Sequence, residues 1–196
     1  MTKAALFYTS YTSEDVISND VCQKIIELAK GHWEPATVTD FERTNNYRIS
    51  DVTWSNEQWI YDVFWEYMLE ANYKSGWRYN LTAAESVQLT RYSKGGHYTW
   101  HLDGLGSHNE LFNDPDNKFL HNNTRKLSMT LLLNDEFKGG DLQIRTMELE
   151  DTDKYTPKLV QGSMIFFPSF IEHQITPITE GTRYSLVCWF LGTPFV

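Results

Sequence analysis

The sequence predicts a mainly β fold, an antiparallel jelly roll of two facing sheets with flanking helices at its N-terminal side. Apolar residues recur at helical spacing in two stretches before about Tyr73 of the 196-residue chain, and from Trp77 onward their period changes to two. Eight short segments of strand character follow, separated by residues that are typical of turns. Many short antiparallel strands of this kind are typical of a jelly roll.

Two helices are predicted ahead of these strands. Ser18 is a suitable N-cap for a helix over residues 19–30, and Gly31 is its expected stop signal. Ser55 and Gln58 form an S-x-x-Q capping-box pattern, which predicts a second helix that continues to about Tyr73. Both helices carry an apolar stripe, so we expect them to pack on the outside of one sheet.

The strands and the domain organisation follow from the same patterns. We expect a short first strand at residues 4–11, and one single domain over residues 1–196. Within it, residues 1–80 would form the helical support and outer strands, and residues 86–195 the jelly-roll core. The predicted core strands are residues 86–92, 98–102, 126–133, 141–147, 158–160, 163–167, 173–177 and 183–190. A polar stretch at 104–124 has the length of a lid or of a disordered loop.

Composition excludes several classes of function. A formal net charge of −9 argues against a protein that binds the phosphate backbone of nucleic acids. Cys22 and Cys188 are too few for a disulfide framework or a thiolate zinc site, and we expect them to be free buried thiols. The sequence has neither a signal-peptide pattern nor an apolar run long enough to span a membrane. We therefore expect a soluble, cytoplasmic protein.

The stretch RYSKGGHYTWHLD contains the strongest chemical signal. His101 and Asp103 are two residues apart, so an extended strand directs both side chains to one face. His173, in FFPSFIEHQITP, begins a later strand that a jelly roll can bring beside the first. Together they would form a two-histidine, one-carboxylate set, which leaves coordination positions open and suits Fe(II) oxygen chemistry. Taken alone, a histidine such as His173 is more often structural than a metal ligand.

A basic residue supports this hypothesis. Arg183 lies ten residues after His173 and opens an otherwise apolar strand, YSLVCWFLG. Burying a guanidinium without an anionic partner is costly, and a guanidinium binds a carboxylate through two parallel hydrogen bonds. The pattern therefore predicts a dicarboxylic co-substrate and an iron- and 2-oxoglutarate-dependent oxygenase. The alternative for Arg183 is a surface ion pair.

From Gln88 to Phe195 the sequence resembles the prolyl 4-hydroxylase-like Fe(II)/2-oxoglutarate-dependent dioxygenases, especially the small bacterial and viral members. The resemblance lies in the order of QLTRYSKGGHYTWHLDG, RKLSMTLLLND, KGGDLQI and QGSMIFFPSFIEHQITPITEGTRYSLVCWF. It implies a double-stranded β-helix (cupin-like) core, Fe(II) as cofactor, and 2-oxoglutarate and O2 as co-substrates. Ascorbate is a candidate reductant.

The resemblance also implies roles for individual residues. The iron ligands would be His101, Asp103 and His173, with no further catalytic residue beyond them. Arg183 and Tyr92 would hold the distal carboxylate of 2-oxoglutarate. Many members have a lysine where this chain has Arg183.

Three further residues match positions around the peptide substrate in this family, namely Tyr98, Arg125 and Trp189. Strict alternation puts Tyr98 on the opposite face from His101, so its role requires a β-bulge between them. For Trp189 a position in the core is an equally good interpretation. Some members have a tyrosine where this chain has Leu132 and Leu133.

The implied function is hydroxylation of a C–H bond, with release of succinate and CO2. The resemblance favours a prolyl residue in a peptide or protein as the substrate. The acidic net charge argues against nucleic acid as a partner, and the lack of a long apolar run argues against a membrane. Two alternatives stay open at this point. One is a hydroxylase of a free amino acid or other small molecule, and the other is a non-catalytic, cupin-like metal-binding module.

Overall fold

The computed structural model describes residues 10–14, 16–36, 47–104, 111–117, 119–145 and 154–194. These residues form mostly β structure with helices in the N-terminal part. The helices are α1 (Asn19–Leu28) and α2 (Gln58–Lys74), and the strands are β1 (Tyr11–Ser13), β2 (Glu34–Pro35), β3 (Arg48–Ile49), β4 (Asp51–Ser55), β5 (Leu81–Ala84), β6 (Val87–Tyr92), β7 (His97–His101), β8 (Thr124–Leu132), β9 (Phe137–Gly139), β10 (Leu142–Arg145), β11 (Lys154–Tyr155), β12 (Met164–Pro168), β13 (His173–Ile175), β14 (Ile178–Gly181) and β15 (Arg183–Gly192).

The strands form two principal antiparallel sheets. The larger sheet has the order β1-β12-β8-β15-β6-β4-β2, and β5 adds to it by pairing with β15. The smaller sheet has the order β11-β10-β13-β7-β3, and β14 and β9 form a separate pair. Buried side chains from both principal sheets share one apolar cluster, so the sheets face each other. This is a double-stranded β-helix, and the predicted fold class is confirmed.

Alternation along the central strands divides their side chains between two environments. Leu127 and Met129 on β8 and Leu186 on β15 turn to the outer face of the larger sheet. There they pack against Phe64 and Met68 of α2, and all five side chains are fully buried. The other face of these strands looks toward the smaller sheet, where polar side chains are also buried. The helices thus support the sheet from outside, as predicted.

The cap of α1 is as predicted, although the helix ends earlier. The Ser18 side-chain oxygen accepts a hydrogen bond from the backbone N–H of Val21 at 3.4 Å. The helix ends at Leu28 instead of residue 30, and Gly31 beyond it has the left-handed φ of +81° that favours glycine. No helix in the described ranges is both long and apolar enough to cross a membrane.

Two expectations about single elements were wrong. Ser55 does not cap α2, because it is the last residue of β4 and pairs with Val87 of β6; the N-cap is Glu57, without a side-chain hydrogen bond. Residues 158–160 form no strand, and the strand that pairs with β10 is β11. The predicted first strand at 4–11 lies largely outside the described residues, as do positions 146–147 of the predicted strand at 141–147.

Candidate metal centre

Two paired strands bring His101 and His173 together. His101 ends β7 and His173 begins β13, and their Cα atoms are direct partners in the antiparallel register. Asp103 follows two residues after His101, where its backbone N–H donates to the carbonyl of Ser169 at 3.0 Å. Residues far apart in the sequence therefore meet at one end of the smaller sheet, because strand pairing fixes their register.

The three side chains converge on one point. One candidate ligand atom from each of His101, Asp103 and His173 lies within 4.8 Å of the other two. The His173 Nε2 atom is 3.7 Å from the Asp103 Oδ2 atom, which is too long for a hydrogen bond. The histidines are 9% and 7% exposed. Two imidazoles and one carboxylate form a donor set that suits a divalent transition metal with open coordination positions.

Backbone carbonyls orient both imidazoles. The Nδ1 atom of His101 lies 2.8 Å from the carbonyl oxygen of Thr99, and that of His173 lies 3.1 Å from the carbonyl oxygen of Ile171. A carbonyl oxygen only accepts hydrogen bonds, so both Nδ1 atoms must donate. Each neutral ring then keeps its lone pair on Nε2, which is the arrangement that supporting hydrogen bonds produce in metal-binding histidines.

The Asp103 carboxylate is held by a pair of buried serines. Ser128 donates its hydroxyl hydrogen to Asp103 Oδ2 at 2.6 Å, and the Ser128 and Ser169 hydroxyls are 2.9 Å apart. Burial alone would raise the pKa of Asp103, but His173, His101, Arg125 and the Ser128 hydroxyl together keep this pKa below its ordinary value. The carboxylate is therefore ionised at neutral pH.

The protonation state of His101 also suits a metal. Burial and, to a smaller extent, the neighbouring His173 lower the pKa of His101 to about 3, although Asp103 opposes this shift. A neutral imidazole and an ionised carboxylate are the forms that bind metal ions, so no proton has to leave these two groups at neutral pH. The residues present therefore fit a divalent metal with nitrogen and oxygen ligands.

A cavity of about 320 Å³ opens beside the three side chains, between the two principal sheets. Arg183 and Tyr92 line it from neighbouring positions on β15 and β6, where they are direct partners. Their exposed fractions are 2% and 4%, and the guanidinium carbon of Arg183 lies 5.8 Å from the centre of the Tyr92 ring. Both predicted co-substrate residues thus reach the same cavity as the three candidate ligands.

The charge of Arg183 has no carboxylate counterpart among the described residues. Its Nη1 atom donates to the Ser185 hydroxyl at 2.9 Å, and no described carboxylate lies within ion-pair distance. Burial lowers the pKa of Arg183, and Tyr92 and Asp141 oppose this shift. A buried, unpaired guanidinium is costly. It is suited to bind the carboxylate of a ligand that enters the cavity.

Tyr98 reaches the cavity because β7 contains the bulge that the sequence requires. His173 pairs with His101 and Ile175 pairs with Tyr98, so three steps on β7 match two on β13. This extra residue brings the Tyr98 ring onto the same side as His101. Their ring centroids are 3.4 Å apart with planes 13° from parallel.

Arg125 and Trp189 lie side by side at the same cavity. The Arg125 guanidinium forms two hydrogen bonds to the Glu85 carboxylate, at 2.6 and 2.8 Å, and its carbon lies 4.1 Å from the centre of the Trp189 ring. Trp189 is 7% exposed, so it is nearly buried and still lines the cavity. Trp189 therefore combines the two positions that the sequence left open, one in the core and one at the cavity.

Several residues that line the cavity were not predicted from the sequence, and Arg48, Trp54 and Gln88 are among them. Arg48 lies on β3 and Trp54 on β4, in a region that the sequence marked only as support. The available signal was the alternation R-x-S in YRISDVTW, which places Arg48 and Ser50 on one face of an extended segment.

Comparison with known proteins places this site in a family. The model of the 2OG-Fe(II) oxygenase superfamily matches residues 87–191. A PKHD-type hydroxylase of Synechococcus sp. strain CC9605 is 36% identical over 106 residues, which is 53% of this chain and 40% of that protein. One from Prochlorococcus marinus is 35% identical over 105 residues, with the same two coverages. The match thus spans well under half the length of these relatives.

Solved structures share the fold across nearly the whole chain. A Pseudomonas putida prolyl-4-hydroxylase aligns with a TM-score of 0.68 and 18% identity, covering 94% of this chain and 93% of that one. The viral collagen prolyl hydroxylase of Paramecium bursaria Chlorella virus 1, solved with 2OG, gives 0.67 and 19%, covering 95% and 97%. At these identities the likeness concerns the fold. Because the family model matches more than half of the sequence, this chain belongs to the 2OG-Fe(II) oxygenase superfamily.

Proposed function

We propose that this protein is an Fe(II)- and 2-oxoglutarate-dependent dioxygenase that hydroxylates a C–H bond. The observation that carries the proposal is that one cavity is lined both by the cluster of His101, Asp103 and His173 and by a buried Arg183 that no described carboxylate pairs with. Iron bound by the three side chains would supply the oxidation in which 2-oxoglutarate and O2 give succinate, CO2 and a hydroxylated product. Family membership supports this proposal.

The residues of the chain have separate tasks in this proposal. His101, Asp103 and His173 bind the metal, and the Thr99 and Ile171 carbonyls keep the two imidazoles in position. The cavity beside these three side chains would admit the co-substrate and the substrate.

Arg183 would bind the distal carboxylate of 2-oxoglutarate, and Tyr92 would contribute its hydroxyl to the same group. This contact would neutralise a guanidinium that no described carboxylate neutralises. Both side chains are nearly buried, and hydrogen bonds to a charged ligand are stronger in such surroundings than in water.

We further propose that the substrate is a prolyl residue in a peptide or protein. Tyr98, Arg125 and Trp189 lie at the cavity and offer aromatic and cationic surface to a peptide. Solved prolyl hydroxylases with the same fold support this substrate, and one, from Trichoplax adhaerens, was solved with a peptide fragment of the hypoxia inducible factor oxygen degradation domain. The free buried thiols Cys22 and Cys188 support a reducing, cytoplasmic compartment.

Succinate formation tests the proposal. The protein is incubated with Fe(II), 2-oxoglutarate, ascorbate as reductant and a library of proline-containing peptides, and the products are measured by mass spectrometry. We expect succinate and a peptide mass increase of one oxygen atom, and loss of both in His101→Ala and Asp103→Ala. His97→Ala is the matched control, because His97 lies on β7 outside the three-residue cluster. Undiminished turnover in Asp103→Ala would contradict the proposed iron site.

A further inference from the structure

A third arginine of the cavity, Arg48, carries a charge that no described carboxylate neutralises. It lies on β3, directly opposite Tyr98 of β7, and its guanidinium carbon is 4.7 Å from the centre of the Tyr98 ring. Its Nε atom donates to the Ser50 hydroxyl at 2.8 Å, and its Nη2 atom donates to the Gln88 side-chain oxygen at 3.0 Å. All of these partners are uncharged.

Two other arginines, Arg91 on β6 and Arg125 at the same cavity, have acidic partners. Arg91 binds Asp51 through two contacts of 2.8 and 3.0 Å, and Arg125 binds Glu85. Among the described residues that line the cavity, Asp103 is the only acidic one, and it belongs to the candidate metal centre. Arg183 also lacks a described carboxylate partner, but the proposed function assigns it to 2-oxoglutarate, so Arg48 is the described arginine of the cavity that is left without an anionic partner.

The charge of the loaded site sharpens this contrast. A divalent metal ion with Asp103, together with the two carboxylates of 2-oxoglutarate and Arg183, sums to zero charge. The ion pair of Arg125 with Glu85 is also neutral. What remains in the cavity is the single positive charge of Arg48. A substrate with one negative charge would neutralise it.

The guanidinium of Arg48 is also held in a fixed orientation. Gln88 is 6% exposed, and its side-chain oxygen accepts a second hydrogen bond from the Thr90 hydroxyl at 3.2 Å. Ser50 binds the guanidinium at Nε and the Tyr98 ring covers one face of it. Nη1 has no acceptor among the described residues. Such a preorganised group loses little conformational entropy when it binds a carboxylate.

We propose that Arg48 binds a carboxylate of the substrate, so that the preferred substrates are peptides with an acidic group beside the hydroxylated residue. This inference rests on the proposed function, because it assigns a substrate class to the same cavity. The carboxylate belongs to an Asp or Glu side chain or to a free C-terminus, and a free amino acid offers the same group. All three sources share one chemistry and can be separated by their neutral counterparts.

Matched acid and amide ligands test this proposal. The probes are proline peptides that carry Asp or Asn, or Glu or Gln, next to the proline. A neutral proline peptide as free acid or C-terminal amide, and free proline against prolinamide, complete the set. Binding to protein loaded with Zn(II) and 2-oxoglutarate is followed by tryptophan fluorescence, because Trp54 and Trp189 line the cavity. With Fe(II), kcat/KM is measured from succinate.

We expect at least one acid to bind and react about tenfold to a hundredfold better than its amide, as for a charge-assisted hydrogen bond. Arg48→Gln should reduce this ratio to about one, and Arg48→Lys should retain part of it. The control Arg91→Gln, which removes an arginine already paired with Asp51, should retain the full ratio. A role of Arg48 in folding alone would not change the acid-to-amide ratio.

Two results would overturn the proposal. One is equal affinity and equal kcat/KM of the wild type for every acid and its amide. A wild type that binds neither member of any pair counts as this result. The other is an acid preference that persists in Arg48→Gln. Binding of Fe(II) and 2-oxoglutarate is measured separately without any peptide. Its absence in the wild type would remove the proposed dioxygenase function, and with it this inference, whereas its presence confines a failure to the substrate class.

Discussion

Replacing Arg183 with methionine should remove most of the binding of 2-oxoglutarate while leaving the protein folded. The side chain is 2% exposed and forms one side-chain hydrogen bond, to Ser185, so most of its N–H donors remain for a ligand. Two charge-assisted hydrogen bonds at about 1.5 kcal/mol each give about 3 kcal/mol, which is about a hundredfold in affinity. Methionine replaces the buried stem of the arginine with an unbranched apolar side chain.

Thermal unfolding in the presence of Zn(II) measures this loss without turnover. At about 100 times the wild-type Kd, 2-oxoglutarate stabilises the wild type by about 2.7 kcal/mol and a variant with hundredfold weaker binding by about 0.4 kcal/mol. For a chain of this size these values correspond to increases in Tm of about 5–11 °C and about 1–2 °C. Arg91→Met, which removes an arginine outside the cavity, should keep the full increase. An equal increase in Arg183→Met would refute the assignment of Arg183.

Three further predictions concern the surroundings of the site. Ser128→Ala removes the hydroxyl that donates to Asp103, so we expect the Kd for Co(II), measured by titration, to rise about 10–100-fold. An unchanged Kd would show that this hydrogen bond does not hold the Asp103 carboxylate in position for the metal. Gly140→Ala places a Cβ atom 2.2 Å from Ile178 Cδ1 at a φ of +68°, so urea unfolding should show a loss of about 1–3 kcal/mol, and an equally stable variant would contradict this packing. The pKa of His101 is about 3 when folded and near 6.5 when unfolded, so the metal-free protein should lose about 2 kcal/mol of stability from this group between about pH 7.5 and about pH 5. In this pH range the unfolded state binds a proton at His101 and the folded state does not, so stability falls as the pH falls. His101→Gln should lack this part of the pH dependence, and an identical pH dependence in both proteins would contradict the prediction.

The core of the fold follows from the sequence because alternation and burial agree there. On β8 and β15 one set of side chains packs on the helices and the other lines the cavity, so the period of two is directly visible in the residues. The cap at Ser18 depends on one local side chain, and it was predicted correctly. Local rules succeed where no distant contact competes with them.

Other elements depend on contacts that a sequence pattern does not contain. Ser55 and Gln58 have the spacing of a capping box, but the pairing of β4 with β6 keeps Ser55 in the sheet. The strands β9 and β14 are three and four residues long, too short for alternation to be recognised. The two strands form because they pair with each other, and such a tertiary contact can outweigh the local propensity of the residues.

The candidate metal site was easier to find than the substrate side of the cavity. His101 and Asp103 are close in the sequence, and the strand patterns around His173 and Arg183 predicted both residues before the resemblance supported them. Arg48 has no comparable local signal, because its significance comes from neutral neighbours and from the absence of a described carboxylate partner. Only the three-dimensional arrangement shows which charges are paired.

Anaerobic titration of the protein with Fe(II) and 2-oxoglutarate tests the central claim most directly. A 2-oxoglutarate that chelates iron through its keto acid group gives a metal-to-ligand charge-transfer band, which reports metal and co-substrate at one site. We predict this band in the wild type and in His97→Ala, and its loss in His173→Ala, because His173 completes the cluster with His101 and Asp103. No band in the wild type, or an equally intense band in His173→Ala, would contradict the account.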